Sequence, residues 1–117
     1  MIKAVAVVRD LFFVARIRET ARLVGASLVF ARTPEELTAA LDGEPPALVI
    51  VDLTTNGWDY EAIFTALERV PAAPVLGYTT HALARATQPL HARCRRVVTK
   101  EALTQELPEL LQRGLAA

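Results

Sequence analysis

The sequence has few of several residue types, and each shortage excludes a class of protein. Its single cysteine, Cys94, excludes an internal disulfide framework and a cysteine-rich zinc site. No apolar run approaches the roughly eighteen residues that a membrane helix needs. Met1 is not followed by the long apolar segment and small-residue cleavage site of a signal peptide. We therefore predict a cytoplasmic protein that does not associate with membranes.

An excess of charge of one sign is also lacking, because 13 basic residues balance 13 acidic ones. The one local basic excess, Arg93–Arg96, has no interleaved aromatic residues, so it predicts a solvated patch rather than a nucleic-acid surface. Neither a glycine-rich dinucleotide fingerprint nor a Walker A motif follows the apolar segment Ala4–Val8. We expect this protein to bind neither nucleotides nor nucleic acids.

What the chain does have is a regular alternation of strand-like and helix-like segments. Its 117 residues, 52% of them apolar, are enough to bury the core of one domain, which we expect to span residues 1–117. The run Ala47–Val51 is apolar throughout, which is typical of a strand buried on both faces of a parallel sheet. Five short, β-rich segments are predicted as strands: Ala4–Val8, Ser27–Ala31, Leu48–Val51, Pro74–Gly77 and Arg96–Val98.

Five helical patterns lie between and after these strands. The first runs from about Leu11 to Val24 and is followed by Gly25 as a stop signal. Thr33 is predicted to cap the second, with proline next and glutamate three residues on. The remaining predictions are a third helix over about 58–70 capped by Asn56, a short fourth helix capped by Thr87, and a fifth over about 104–113.

Alternating strands and helices imply right-handed crossovers and a three-layer α/β sandwich around a parallel sheet. Five such units without a glycine-rich turn favour a flavodoxin-like sheet of order 2-1-3-4-5. In that sheet the carboxyl ends of all strands open on one edge. The polar residues that end or follow the strands are Arg9, Asp10, Asp52, Thr79, Thr80 and Lys100.

The residues at this predicted edge are suited to phosphoryl chemistry. The first and third strands are neighbours, so Asp10 and Asp52 should face each other, with Thr79 and Lys100 to one side. Two carboxylates and a carbonyl can bind Mg²⁺. The cation and a lysine would neutralise an incoming phosphoryl group, and a hydroxyl would bond one of its oxygens. Asp52 would then be the nucleophile that forms an acyl phosphate.

On these residues the chain resembles the receiver domain of two-component response regulators, along essentially its whole length. The resemblance implies that Asp52 is the phosphoacceptor and that Thr79 and Lys100 contact the phosphoryl group. It implies a metal set of Asp10, Asp52 and the backbone carbonyl of Thr54. It also implies signalling by protein contact, with no catalysis beyond self-phosphorylation and dephosphorylation. The implied partners are a sensor kinase or another signalling protein, and a homodimer is a further option.

Arg9 is the departure from the family pattern with the largest consequence, because it replaces the first acid of the metal-binding pair. Its guanidinium could occupy the place of the cation and pair with Asp52 or Asp10, as in a pseudo-receiver that signals without phosphorylation. Alternatively, Arg9 points outward and the two aspartates suffice for Mg²⁺. Further departures are Leu11, Phe12, Asn56, Tyr60 and Glu101.

Three functions therefore remain open. The first is a phosphorylatable receiver, and the second is an interaction module that works without phosphate. The third is a small-molecule or enzymatic flavodoxin-like protein, which needs a ligand-sized pocket at the strand edge. Phe12 lies off the apolar stripe of the first helix, where its ring packs locally, closes the pocket or meets a partner.

Overall fold

A computed structural model describes residues 2–115 of the chain. Five parallel strands form one sheet in the order β2-β1-β3-β4-β5. The strands are β1 (Lys3–Val7), β2 (Ser27–Phe30), β3 (Leu48–Asp52), β4 (Val75–Thr79) and β5 (Arg96–Thr99). The helices are α1 (Leu11–Val24), α2 (Pro34–Ala40), α3 (Tyr60–Glu68), α4 (Ala84–His91) and α5 (Lys100–Arg113).

The middle strand, β3, is buried along its whole length, as its apolar sequence predicts. Val51 in this strand lies opposite Val7 of β1 and Gly77 of β4. Successive side chains point to opposite faces, so the core has two layers. One layer packs under α1 and α5, and the other packs under α2 and α3. The predicted flavodoxin-like sandwich, its parallel sheet and its strand order are confirmed.

The end of α1 and the start of α2 lie where their signals predict. Gly25 ends α1 with a φ of 74°, in the left-handed region that glycine adopts without a steric penalty. The hydroxyl of Thr33 accepts a hydrogen bond from the amide of Glu36 at 3.0 Å. In return, the Glu36 carboxylate accepts one from the amide of Arg32 at 2.8 Å. These bonds satisfy amides that a helix start would otherwise leave without partners.

The predicted start of the third helix is wrong. Helix α3 begins at Tyr60, and Asp59 caps it by accepting a hydrogen bond from the amide of Ala62 at 3.0 Å. Asn56 does not cap it, because Gly57 turns the chain between Asn56 and the helix with a φ of 81°. The side chain nearest to the first turn therefore provides the cap.

The predicted starts of the last two helices are also wrong. Helix α4 begins at Ala84, so Thr87 is buried inside it and does not cap it. Helix α5 begins at Lys100 rather than near residue 104, because Thr99 accepts a hydrogen bond from the amide of Ala102 at 3.1 Å. Thr99 is thus both the last residue of β5 and the cap of α5, and no loop separates the two elements.

Candidate functional site

The candidate site lies at the carboxyl edge of the sheet, where four residues from the sequence analysis are placed by four different elements. Asp52 and Thr79 are the last residues of β3 and β4, and both are buried. Asp10 caps α1, and Lys100 is the first residue of α5. Parallel strands end at the same edge, which is why residues far apart in sequence gather here.

The Asp52 carboxylate is bonded by neutral donors of the loop that follows β3. Its Oδ1 accepts hydrogen bonds from the amide of Thr54 at 2.8 Å and from the Thr54 hydroxyl at 2.6 Å. Its Oδ2 accepts only a longer bond, 3.3 Å, from the Thr55 hydroxyl. Within residues 2–115 the Asp52 carboxylate takes part in no ion pair. Oδ2 is therefore the less engaged of the two oxygens.

Asp10 is the residue that Lys100 binds. The Lys100 ammonium donates to Oδ2 of Asp10 at 2.9 Å and lies 4.9 Å from the centre of the Phe13 ring. Oδ1 of Asp10 accepts hydrogen bonds from the amides of Phe12 and Phe13 at 3.0 and 3.3 Å. The hydrogen bond from Lys100, aided by these amides, holds the pKa of Asp10 below its usual value, although partial burial opposes it. Asp10 therefore stays ionised to a lower pH than a free aspartate.

Arg9 pairs with neither carboxylate of the site within residues 2–115. Its guanidinium lies 5.9 Å from the centre of the Trp58 ring, and its side chain is exposed. The pairing of Arg9 with Asp52 or Asp10, considered from the sequence, is absent from the described part of the chain. The physical reason is that Lys100 already neutralises Asp10, while the Trp58 ring offers Arg9 a cation–π contact.

Thr79 is held by helix α4 rather than by Asp52. The buried Thr87 hydroxyl donates to the Thr79 hydroxyl at 2.9 Å, and the Nε2 atom of His91 lies 2.9 Å from the same Thr87 oxygen. A chain of three polar groups thus leads from the strand end into α4. The sequence analysis missed this role of Thr87, although a threonine among the inward positions of a short helix was a usable signal.

Tyr60 is a second residue whose role the sequence analysis missed. It appeared there only as a departure from the family pattern. Its hydroxyl donates to the backbone carbonyl of Asp52 at 2.6 Å and accepts from the amide of Thr55 at 2.9 Å. These two bonds close the loop after β3 against the start of α3. Burial is the main reason that the pKa of Tyr60 lies above its ordinary value.

Tyr78 is the third residue of the site that sequence reasoning did not identify. It lies beside Asp52 in the register of β3 and β4, and its ring centre is 5.0 Å from that of Phe13. The side chain is 1% exposed, and its hydroxyl has no hydrogen-bond partner within the described residues. No local pattern in the sequence marks such a group, because its burial depends on the packing of α1 over the sheet.

An open groove of about 1010 Å³ runs beside the site between α1 and the start of α5. Phe12 at its wall is 92% exposed, and neighbouring Leu11 is 70% exposed. The small-molecule hypothesis required such a space at the strand edge, and the groove keeps that hypothesis open. The lining includes Phe12, Phe13, Arg16, His81, Lys100 and Glu101.

Two further observations concern the described residues as a whole. Residues 2–115 hold no cluster of three or more histidine, cysteine, aspartate or glutamate side chains arranged to bind a metal. The same residues include no helix with the length and apolar character that crossing a membrane requires.

No model of a known protein family matches the chain, and no curated protein matches it. Solved structures do match. The chemotaxis response regulator CheY4 of Vibrio cholerae has a TM-score of 0.75 and 20% identity, over 98% of this chain and 99% of that one. NtrX from Brucella abortus has a TM-score of 0.77 and 17% identity over 97% of this chain, which spans only 26% of NtrX.

A third similar structure includes a metal. It is the receiver domain of the sensor histidine kinase PA1611 from Pseudomonas aeruginosa, with a magnesium ion coordinated in its active site cleft. The TM-score is 0.75 at 16% identity, over 97% of this chain and 96% of that one. Likeness at these identities concerns the fold, and on that evidence this chain has the fold of response regulator receiver domains.

Proposed function

We propose that the chain is a receiver-like signalling domain in which Asp52 accepts a phosphoryl group. The observation that carries the proposal is the state of Asp52: a buried carboxylate at the end of the central strand, contacted only by neutral donors. Arg9 lies over Trp58 instead of occupying the space beside Asp52. This arrangement supports a phosphorylatable receiver rather than a pseudo-receiver in which the Arg9 guanidinium occupies the place of the cation.

Oδ2 of Asp52 is the proposed nucleophile. Oδ1 accepts two short hydrogen bonds from Thr54, which lower its basicity, whereas Oδ2 accepts one long bond from Thr55. In the transfer, an Oδ2–phosphorus bond forms while the bond between phosphorus and the donor's leaving group breaks. The ion pair with Asp10 holds the Lys100 ammonium at the carboxyl edge of the sheet. Its positive charge would stabilise the negative charge on the phosphoryl oxygens.

The proposed oxygen ligands are of the kind that Mg²⁺ takes, and Lys100 would have to release Oδ2 of Asp10 for that oxygen to bind the ion. This ion usually keeps several waters and takes only one or two protein carboxylates, so Asp10 and Asp52 are sufficient in number. The backbone carbonyl of Thr54 is the third proposed ligand. When bound, the cation would neutralise charge on the phosphoryl group. The first acid of the family pair is missing because Arg9 replaces it, so we expect weaker binding than two acids at this point would give.

Phosphorylation by acetyl phosphate with Mg²⁺ tests the proposal directly. Intact mass spectrometry should show a gain of one phosphoryl group in the wild type and none in D52N. Asp59 serves as the matched control, because it lies in the same region but caps α3 instead of entering the site. D59N should therefore be labelled like the wild type. An unlabelled wild type, or labelling that survives in D52N, would contradict the proposal.

The alternative is an interaction module that works without phosphate. Arg9 in place of an acid favours it, and so do the exposed Leu11 and Phe12 on α1, which suit contact with another protein. A wild type that gains no phosphoryl group and binds no Mg²⁺ would select this alternative. R9D separates the two further, because a restored acid should strengthen Mg²⁺ binding only if the metal site is used.

The partner in either case is proposed to be a sensor kinase or another signalling protein, with a second copy of the chain as a further option. We propose no catalytic activity beyond turnover of the phosphoryl group on Asp52. The single domain over residues 1–117 and the cytoplasmic location stay predictions.

A further inference from the structure

Tyr78 carries a hydroxyl that the folded chain does not use. The side chain is 1% exposed, and its oxygen bonds to none of the residues from 2 to 115. Burying an unpaired hydroxyl destabilises a protein, whereas a phenylalanine would fill the same space without that penalty. A buried polar group of this kind in a folded structure needs an explanation, and a functional role is one of the recognised ones.

The position of Tyr78 indicates where a partner of this hydroxyl would bind. Tyr78 lies directly opposite Asp52 across neighbouring parallel strands, so both side chains lie on the same face of the sheet. The ring packs on Phe13, and the Lys100 ammonium also contacts Phe13, 4.9 Å from its ring centre. The ring of Tyr78, the neighbour of Asp52 in the sheet, and the Lys100 ammonium therefore both contact Phe13.

The charge that would recruit this hydroxyl is a phosphoryl group. Such a group adds about 1.5 to 2 negative charges and three strong acceptor oxygens. A tyrosine hydroxyl has an ordinary pKa of about 10, so it is protonated near neutral pH and can donate a hydrogen bond. Donors that are already in place when charge develops stabilise that charge effectively.

We propose that the Tyr78 hydroxyl donates a hydrogen bond to the phosphoryl group on Asp52, a role that rests on the proposed function of the site. Tyr78 would then stabilise the phosphorylated state specifically. In the unmodified state, its unpaired hydroxyl destabilises the fold. The proposal predicts opposite effects of one substitution, Y78F, on the two states.

In the unmodified protein, Y78F should keep or raise the melting temperature, because it removes an unpaired polar atom and keeps the ring. Y60F is the matched control: it removes a hydroxyl that is bonded to both the Asp52 carbonyl and the Thr55 amide. Y60F should lower the melting temperature. If Y78F lowers the melting temperature as much as Y60F does, the Tyr78 hydroxyl already stabilises the unmodified protein. That result would overturn the proposal.

In the modified state, the probe is beryllofluoride with Mg²⁺, a tetrahedral mimic of the phosphoryl group, with bound fluoride followed by ¹⁹F NMR. We expect its dissociation constant to rise about tenfold in Y78F, as for loss of one hydrogen bond to a charged group. Equal affinity in wild type and Y78F would overturn the role of Tyr78 alone. No binding to the wild type, together with no labelling by acetyl phosphate, would overturn both this role and the proposed function.

Discussion

Lys100 donates a hydrogen bond to Asp10 at 2.9 Å, although the two residues lie 90 positions apart in the chain. The ion pair joins the first residue of α5 to the cap of α1 at the candidate site. Lys100 therefore has a structural partner in the unmodified protein. A phosphoryl group on Asp52 would have to compete with Asp10 for the same ammonium.

The first prediction concerns the pH dependence of this ion pair. The pKa of Asp10 is lowered from 3.8 in the folded state, so its stabilising effect is fully present above pH 3.8 and disappears as pH falls through the lower folded value. K100M should therefore be less stable than the wild type at pH 7, by about 1 kcal/mol or less because both side chains are over one-third exposed.

Urea unfolding from pH 7 to pH 2 measures this difference, which should shrink as Asp10 becomes protonated. K3M is the control, because the Lys3 ammonium donates to the backbone carbonyl of Glu44 at 3.3 Å and has no ion pair within residues 2–115. A difference between wild type and K100M that stays constant down to pH 2 would show that the ion pair does not stabilise the fold.

The second prediction concerns the hydrogen bond between Thr79 and Thr87. T87V removes the hydroxyl that donates to Thr79 at 2.9 Å in a buried setting, so the free energy of unfolding should fall by about 1 kcal/mol. T79V should cost a similar amount. The double variant T79V/T87V should cost less than the sum, because both single changes remove the same bond. Strictly additive losses in urea unfolding would contradict the coupling.

The third prediction concerns the reactivity of Cys94. Burial raises the pKa of its thiol to about 11, so little thiolate is present at pH 8. We expect iodoacetamide to alkylate Cys94 slowly in the folded protein and at the rate of a free thiol in urea, as followed by mass spectrometry. Equal rates in the two conditions would show that the thiol is not protected.

The fourth prediction concerns close packing at Gly77. A Cβ atom here would lie 2.8 Å from Sγ of Cys94 and 2.9 Å from Cδ1 of Leu53. G77A should therefore lower the free energy of unfolding by about 1–3 kcal/mol through overpacking. The double variant G77A/C94A should recover part of this loss, because alanine withdraws the sulfur atom. If G77A lowers the free energy of unfolding equally with and without C94A, the contact with Sγ of Cys94 is not the cause of the destabilisation.

The strands could be predicted from the sequence because short apolar runs, a local feature, mark their positions. The run that ends at Val51 is buried on both faces, and the polar residue after it, Asp52, lies at the carboxyl edge. The strand order followed from the flavodoxin-like fold class that five alternating units favour, and it needs no detail of packing.

Helix starts were harder to predict because several capping residues compete within a few positions. Asp59 rather than Asn56 caps α3, because the chain turns at Gly57 between Asn56 and the helix. Residue types alone do not show the conformation of that turn. The side-chain partners were harder still. Arg9 lies over Trp58, and Tyr78 is covered by Phe13; both contacts join distant parts of the chain.

The direct junction at Thr99 has a mechanical consequence. With no loop between β5 and α5, the helix cannot swivel freely about its first residue, so a pull on the Lys100 side chain acts on the helix axis itself. The far end of α5 is tethered too, since the amide of Leu115 bonds to the carbonyl of Ala47 just before β3. Helix α5 is thus held at both edges of the sheet, at the carboxyl edge by its junction with β5 and at the amino edge by the bond from Leu115 to Ala47.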